Sequence, residues 1–392
     1  HWAETKKWPK EFFQKNDMSH LFERKKSLSS LRRKRSEPSL TASATLSDQR
    51  GRDEKSVPYN HLSYETLLET LGGFYMNDHE LGISDRSESL CRRLLEKKHA
   101  HPENTIFRDD QTFKEACRKL QGRNEAKIIQ VMGQLLVPSA ETLATLSDKC
   151  FNVLADSAGD DWNNSIPVTN PRPQPDYAAG FGRSAFSDDH FRKLQPALGD
   201  PLCRSYFMAT YYILFPFLTC EVKCGTTGLD VADRQNAHSM KLAIRGIVEL
   251  FKLAKRENEL HREILAYSIS HDHRNVRIYG YYPVFNGPKF TTHRHLIHDF
   301  NIIALAGRER WTTYDFTVEA YMESLNLLKK IRSVIDDLPP NFNLKDSQKS
   351  EPQLSEYSRL SQQFGNQILA LGEQDSDLSH GDLQPITPDT ST

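Results

Sequence analysis

"FPFLTCEVKCG", Phe215–Gly225, is the stretch on which the reading of this sequence turns. The segment that leads into it, "SYFMATYYIL", is almost wholly apolar, so the two together read as a buried core strand that ends in charge. A strand alternates its side chains between two faces. Glu221 and Lys223 therefore share one face with Phe215 and Phe217, and Cys220, Val222 and Cys224 take the other. An acid and a base are presented at the mouth of a core strand. A strand end reaching solvent would look the same, so the surrounding sequence has to separate the two.

The chain has 392 residues, is 38% hydrophobic and carries a net charge of −1. The ends account for the low hydrophobic share. Residues 1–55 and 341–392 are rich in Ser, Lys, Glu, Gln, Asp and Pro, a composition that cannot bury a core, so both are expected to be disordered tails. What lies between is long enough for a sizeable core. A near-neutral total gives no global field for nucleic acid, although it leaves room for a local basic groove. The six cysteines, Cys91, Cys117, Cys150, Cys203, Cys220 and Cys224, form no CxxC pair. They read as reduced, intracellular thiols and not as a zinc finger. No apolar run reaches the roughly 18 residues of a membrane span, so no membrane partner is expected. The sequence begins at His1 and not at Met, which leaves a preceding targeting segment open. "RKKSLSSLRRKRS", Arg24–Ser36, reads as a nuclear-import signal, a phosphate contact or a solvated charge run. Protein partners are not legible.

Residues 56–165 read as a helical N-terminal part, with helices in "SYETLLETLGGFYM", "DRSESLCRRLLEKK", "DDQTFKEACRKLQGRNEAKIIQVMGQLLV" and "PSAETLATLSDKCFNVLA". Residues 166–340 read as an α+β core. A proline-rich connector, "IPVTNPRPQP", delivers the short strand "DYAAGFGRSAF". After the core strand comes a long amphipathic helix, with Ala237, Met240, Ile244, Ile247, Phe251 and Ala254 on its buried stripe. Arg234, Lys241 and Arg245 are expected on its solvated face or along a phosphate groove, and Cys220 and Cys224 packed beneath it. "EILAYSIS" and "VRIYGYYPV" read as a hairpin, "FTTHRHLIHDFNII" as a further strand, and the chain closes on a helix before Pro339. The expected architecture is a mixed central sheet flanked by helices.

Phosphodiester hydrolysis needs a divalent cation held by carboxylate oxygens, an activated water and positive charge near the attacking oxygen. Asp176 in "PQPDYAAGFG" lies at the start of one strand, and Glu221 and Lys223 at the end of the next. These residues resemble the PD-(D/E)xK nuclease superfamily, whose restriction-endonuclease-like core runs helix, strand, strand, strand, helix, strand. The resemblance implies Mg²⁺ or Mn²⁺ held by Asp176 and Glu221, with Lys223 positioning or stabilising the attacking hydroxide. It also implies a glutamate from the first helix, for which Glu125 is the candidate, and in exonuclease-like members a glutamine after the lysine strand, for which Gln235 is the candidate. Asp176 and Glu221 are 45 residues apart, which requires an inserted helix. "RPQPDYAAGF", "FPFLTCEVKCG", "ADRQNAHSM" and "SISHDHRNVRIYGYYP" further resemble an uncharacterised fungal domain family spanning about Tyr59 to Leu338.

Two rivals stand beside the nuclease-type reading. One is a non-catalytic interaction domain that retains the fold. The other is a zinc site, should His271, His273, His293, His295 and His298 converge from paired strands. No Walker A loop, nucleophile elbow, HExxH or Rossmann fingerprint is present.

The basic run carries the first prediction. A fluorescently tagged chain should concentrate in nuclei, and the same chain lacking residues 1–55 should spread through the cell; unchanged nuclear signal after truncation would remove the import role of Arg24–Ser36.

Overall fold

The computed structural model describes residues 57–198, 204–225 and 227–339. The basic run, Cys203 and both expected tails lie outside them. The chain enters through a 3₁₀ turn at Val57–Asn60, then α1 (Ser63–Gly72), β1 (Phe74–Tyr75), α2 (Asp85–Glu96) and α3 (Asp110–Leu120). α4 (Glu125–Ile128) runs through a π-helical turn, Ile129–Gly133, into α5 (Gln134–Leu136), and α6 (Ala140–Leu146) follows. Ser84, Asp109, Asn124 and Ser139 cap α2, α3, α4 and α6, each side chain accepting the N–H three residues on. That bond satisfies a donor the helix itself leaves open.

β2 (Leu154–Ser157) and β3 (Tyr177–Phe181) come next, then α7 (Asp188–Leu198), β4 (Leu214–Val222), α8 (Leu229–Leu253), β5 (Ala266–His271), β6 (Asn275–Asn286), β7 (Lys289–Asn301) and α9 (Thr312–Asp336). Among the described residues seven strands form one mixed sheet, in the order β1-β7-β6-β5-β4-β3-β2. The α+β architecture with flanking helices is thus present. β4 pairs antiparallel with β3 and parallel with β5. Parallel neighbours need a crossover, which α8 supplies. The β5–β6 hairpin closes at His271–Asn275 as its sequence suggests.

Every residue of β4 is buried, because helices cover both of its faces. On one face Asn236 of α8 accepts from Thr219 Oγ1 at 2.7 Å and donates to Ser270 Oγ at 3.0 Å. On the other, Tyr321 of α9 meets the hydroxyl of Tyr177 at 2.8 Å.

Three expectations are corrected here. Tyr177 stands directly opposite Cys220, so Cys220 lies on the α9 face and not beneath α8. Phe217, expected on the face of Glu221, instead sets its ring edge-on to Tyr321 at 6.3 Å. Phe215 has φ +43° and the β3 register shifts between Ala179 and Phe181, so strict alternation fails there. Arg234, Lys241 and Arg245 form no solvated face, being 4%, 4% and 5% exposed. Arg234 Nε donates to the Tyr59 carbonyl at 2.6 Å, Lys241 lies over the Phe290 ring, and Arg245 lies over the Tyr206 ring and donates to the Ile166 carbonyl.

Gly246, in the middle of α8, lets this helix seat. A Cβ there would come within 2.3 Å of the Tyr206 carbonyl oxygen. Helix propensity alone would make Gly246→Ala stabilising by about 1 kcal/mol. The fold predicts the opposite sign, a lower midpoint in urea than wild type; a raised midpoint would show that α8 can lift away from residues 206–207.

Candidate functional site

The end of β4 is gripped from both edges. The ladder to β3 reaches Tyr177 opposite Cys220, so the preceding residue, Asp176, stands beside Glu221. Asp176 Oδ2 accepts the Val222 N–H at 2.8 Å, replacing the backbone carbonyl that a longer β3 would supply. On the other edge Glu221 pairs with Ser270 and Val222 with His271, and the Lys223 N–H donates to the His271 carbonyl at 2.9 Å. Asp176, Glu221 and Lys223 are 6%, 1% and 4% exposed, so this is a set of buried charges that has to be paired.

Lys223 Nζ donates to the Val222 carbonyl at 2.9 Å and lies 4.0 Å from Glu221 Oε2. A second carboxylate reaches it from the N-terminal helices: Glu125 Oε1 lies 3.6 Å away. Glu125 is the first residue of α4, oriented by the Asn124 cap. The structure thus brings Glu125, Glu221 and Lys223 to one point, with Asp176 anchored to the adjoining backbone.

Gln235, in the second turn of α8, borders a cavity of about 20 Å³ together with Glu221, Tyr59, Arg172, Gln174 and Ser239. A cavity of that size holds one water-sized particle. Gln235 Oε1 is buried and accepts no hydrogen bond.

Arg172, Gln174 and Tyr59 were missed in the sequence. "PRPQPD" reads as a connector, yet it is the cavity wall. The Pro173 and Pro175 carbonyls accept the N–H groups of Trp162 and Gly159 at 3.0 and 3.1 Å. Gln174 Nε2 donates to the Gly159 carbonyl at 2.9 Å, and Arg172 Nη1 to Asn163 Oδ1 at 3.3 Å. A charged residue within alternating prolines was the available signal, because the prolines fix where its side chain goes.

The electrostatics follow the burial. Desolvation pushes the Cys220 thiol well above its ordinary value, and the Asp176 and Glu221 carboxylates add to it. Cys220 is therefore an inert neighbour of the charges. Desolvation also holds the His271 imidazole neutral, while its Nδ1 donates to the Asp272 carbonyl at 3.0 Å.

The histidines do not gather into the zinc site of the rival reading. His295 meets Asp78 at 3.0 Å, His298 meets Glu309 at 2.8 Å, and His293 meets Thr291 at 2.8 Å and stacks on Tyr75. His271 sits on β5, and the whole of β6 separates it from the three on β7. Among the described residues no group of three or more His, Cys, Asp or Glu side chains is set to hold a metal ion. Nor is any helix among them long and apolar enough to cross a membrane.

The profile of a family described as "Domain of unknown function (DUF7924)" matches residues 112–335, from α3 to the end of α9. No curated protein and no solved structure matches the chain.

The cavity wall is fastened to α8 through a buried histidine. The hydroxyls of Tyr59 and Tyr64 both lie 3.0 Å from His238 Nδ1. Desolvation drops the His238 imidazolium to about 3, with Arg245 adding to the effect. Its folded value is depressed below the ordinary value of about 6.5. The stability it confers is therefore complete above about pH 6.5 and is lost as pH falls toward 3, at about 1.4 kcal/mol per pH unit. Chemical denaturation between pH 7 and pH 4 should show this slope in wild type and a flatter one in His238→Asn. Equal slopes in both proteins would place the acid sensitivity elsewhere.

Proposed function

We propose that this chain, which belongs to the DUF7924 family, carries a metal-dependent phosphodiesterase site of nuclease type acting on nucleic acid. The observation that carries this reading is the convergence of Glu125, Glu221 and Lys223 within 4.0 Å contacts at the end of a strand whose neighbour is preceded by Asp176. Element order supports it: α4–α6, β2, β3, β4, α8 and β5 run helix, strand, strand, strand, helix, strand, with α7 inserted between β3 and β4.

The donor set suits a hard cation. Asp176 and Glu221 would hold Mg²⁺ or Mn²⁺. The buried Gln235 Oε1, which accepts no hydrogen bond, is a third oxygen bordering the same cavity as Glu221. Mg²⁺ typically uses one or two carboxylates and keeps several waters, so a cage of three or more acidic or imidazole ligands is not required. Such an ion, when bound, supplies Lewis-acid stabilisation and a more acidic water. The chain does the remainder. Lys223 lies between two carboxylates and would offer its ammonium to negative charge developing on the phosphate. Glu125 would hold Lys223 in place.

The alternative is a non-catalytic interaction domain built on the same fold. Two observations favour it: Asp176 already serves the β4 backbone, and the Arg172 guanidinium borders the Glu221 cavity, where it can balance that carboxylate.

Calorimetric titration with Mn²⁺ and cleavage of a mixed DNA and RNA panel separate the two. Wild type should give site-dependent heat and cleavage that chelation stops. Lys223→Ala should keep the heat and lose about a hundredfold in rate. Glu221→Ala should lose both. Asp176→Asn retains a carbonyl acceptor for Val222 and should weaken metal binding while keeping the fold. Glu125→Ala should show the smallest loss. No heat and no cleavage in wild type would leave the interaction domain as the reading.

A further inference from the structure

The helices that deliver Glu125 also carry exposed charge that the site does not use. Lys114, Arg118, Lys119, Arg123 and Lys127 are all exposed and lie along the elbow from α3 into α4. The acids among them are spoken for: Glu115 is paired with Lys119 at 2.7 Å, and Glu125 faces Lys223. Among the described residues Lys114, Arg118, Arg123 and Lys127 make no ion pair. Arg123 donates to the Lys119 carbonyl at 3.4 Å and Lys127 to Gln130 Oε1 at 2.9 Å, both neutral partners.

This excess is local. The whole chain is balanced at −1, yet four uncompensated cations sit within 14 residues. The elbow is also continuous with the site. Arg123 and Lys127 flank Glu125, two residues away on either side, and Glu125 reaches Lys223. Burial pushes the Cys117 thiol of α3 up to about 11 and the Arg274 guanidinium pulls it back. The turn that bears Arg274 begins at His271, whose carbonyl accepts the Lys223 N–H.

We infer that the α3–α4 elbow, through Lys114, Arg118, Arg123 and Lys127, is a phosphate-backbone track that seats a nucleic-acid strand beside Glu221 and Lys223. The inference rests on the nuclease-type reading of that site and adds to it the surface that brings substrate in. Exposed cations at intervals of one or two helical turns suit a polyanion and read no sequence, so binding through them is electrostatic and salt-dependent. An acidic protein or an anionic lipid surface would need the same charge without any relation to Lys223.

The test compares the full chain with the variant Lys114→Ser, Arg118→Ser, Arg123→Ser, Lys127→Ser. All four side chains are exposed, so the melting temperature should not move. Any contribution from Arg24–Ser36 is common to both proteins. Binding of a fluorescent DNA duplex of arbitrary sequence, without divalent metal, should weaken by about tenfold or more. The plot of log affinity against log salt should become shallower by about 0.9 for each contact removed. Cleavage of a small diester, bis(4-nitrophenyl) phosphate, with Mn²⁺ should be unchanged in the variant and lost in Lys223→Ala. Unchanged DNA affinity and salt slope would overturn the track whatever the cleavage result. So would wild-type binding to phosphatidylserine vesicles but not to DNA. DNA binding that is sensitive to the four substitutions, with no cleavage of either substrate, would keep the track and remove the nuclease reading.

Discussion

The constraint on which this structure depends is the burial of a carboxylate and an ammonium at the end of a strand covered on both faces. β4 is buried over its whole length, and Glu221 and Lys223 remain below 5% exposed as it ends. Charges in that position need partners, since stripping water from an ion costs several kcal/mol that attraction only partly repays. The partners come from distant parts of the chain. Glu125 arrives from α4, Asp176 from the start of β3, and the His271 carbonyl from β5. Neutralising this strand end therefore obliges the N-terminal helices, the proline stretch and the β5 edge to assemble around it.

α8 is the second element of that assembly, and it works through polar contacts as much as apolar ones. Asn236 joins β4 and β5 by accepting from Thr219 and donating to the Ile269 carbonyl and Ser270. Two residues further on, His238 meets Tyr59 and Tyr64, while Arg234 holds the Tyr59 carbonyl and Glu65. The segment at Val57–Asn60 and α1 are thereby fastened over the cavity that Glu221 borders. A helix that is apolar on one face and pairs most of its polar groups within the protein on the other can be buried all round, which explains why its basic residues are not in solvent.

The elements with a strong local pattern were legible in the sequence. The core strand, the apolar stripe of α8 and the hairpin at His271–Asn275 all follow from periodicity and turn residues. What failed was long-range. Nothing local tells β1 to lie parallel to β7, or which helix Cys220 should face. The side assignment of Phe217 failed because Phe215 takes a left-handed conformation inside a strand, where period-two counting assumes extended backbone. The candidate site was legible in part for the same reason. Glu221 and Lys223 declare themselves by spacing and Asp176 by its place at the start of a neighbouring strand, whereas Glu125 and Gln235 came only through resemblance. Tyr59 gave no pattern at all and Arg172 only a charge among prolines, since their role depends on where proline-fixed backbone and a 3₁₀ turn happen to pack.

A stability argument alone does not account for this strand end. Buried ion pairs are often no better than apolar residues of equal volume, and removing one partner is costly. A chain under selection only for a packed sheet could continue the β4 pattern of Leu214, Leu218 and Val222 and dispense with Glu221, Lys223 and the supporting Glu125. Instead the chain keeps three charges in contact, adds an amide oxygen with no donor at Gln235, and leaves a one-water cavity beside them. Together they are the hard-oxygen and ammonium groups that the proposed phosphoryl chemistry would use. Local sequence rules are broken most often where function needs them broken. The α9 face of the same strand, with its neutral Cys220 and tyrosine pair, carries no such charge.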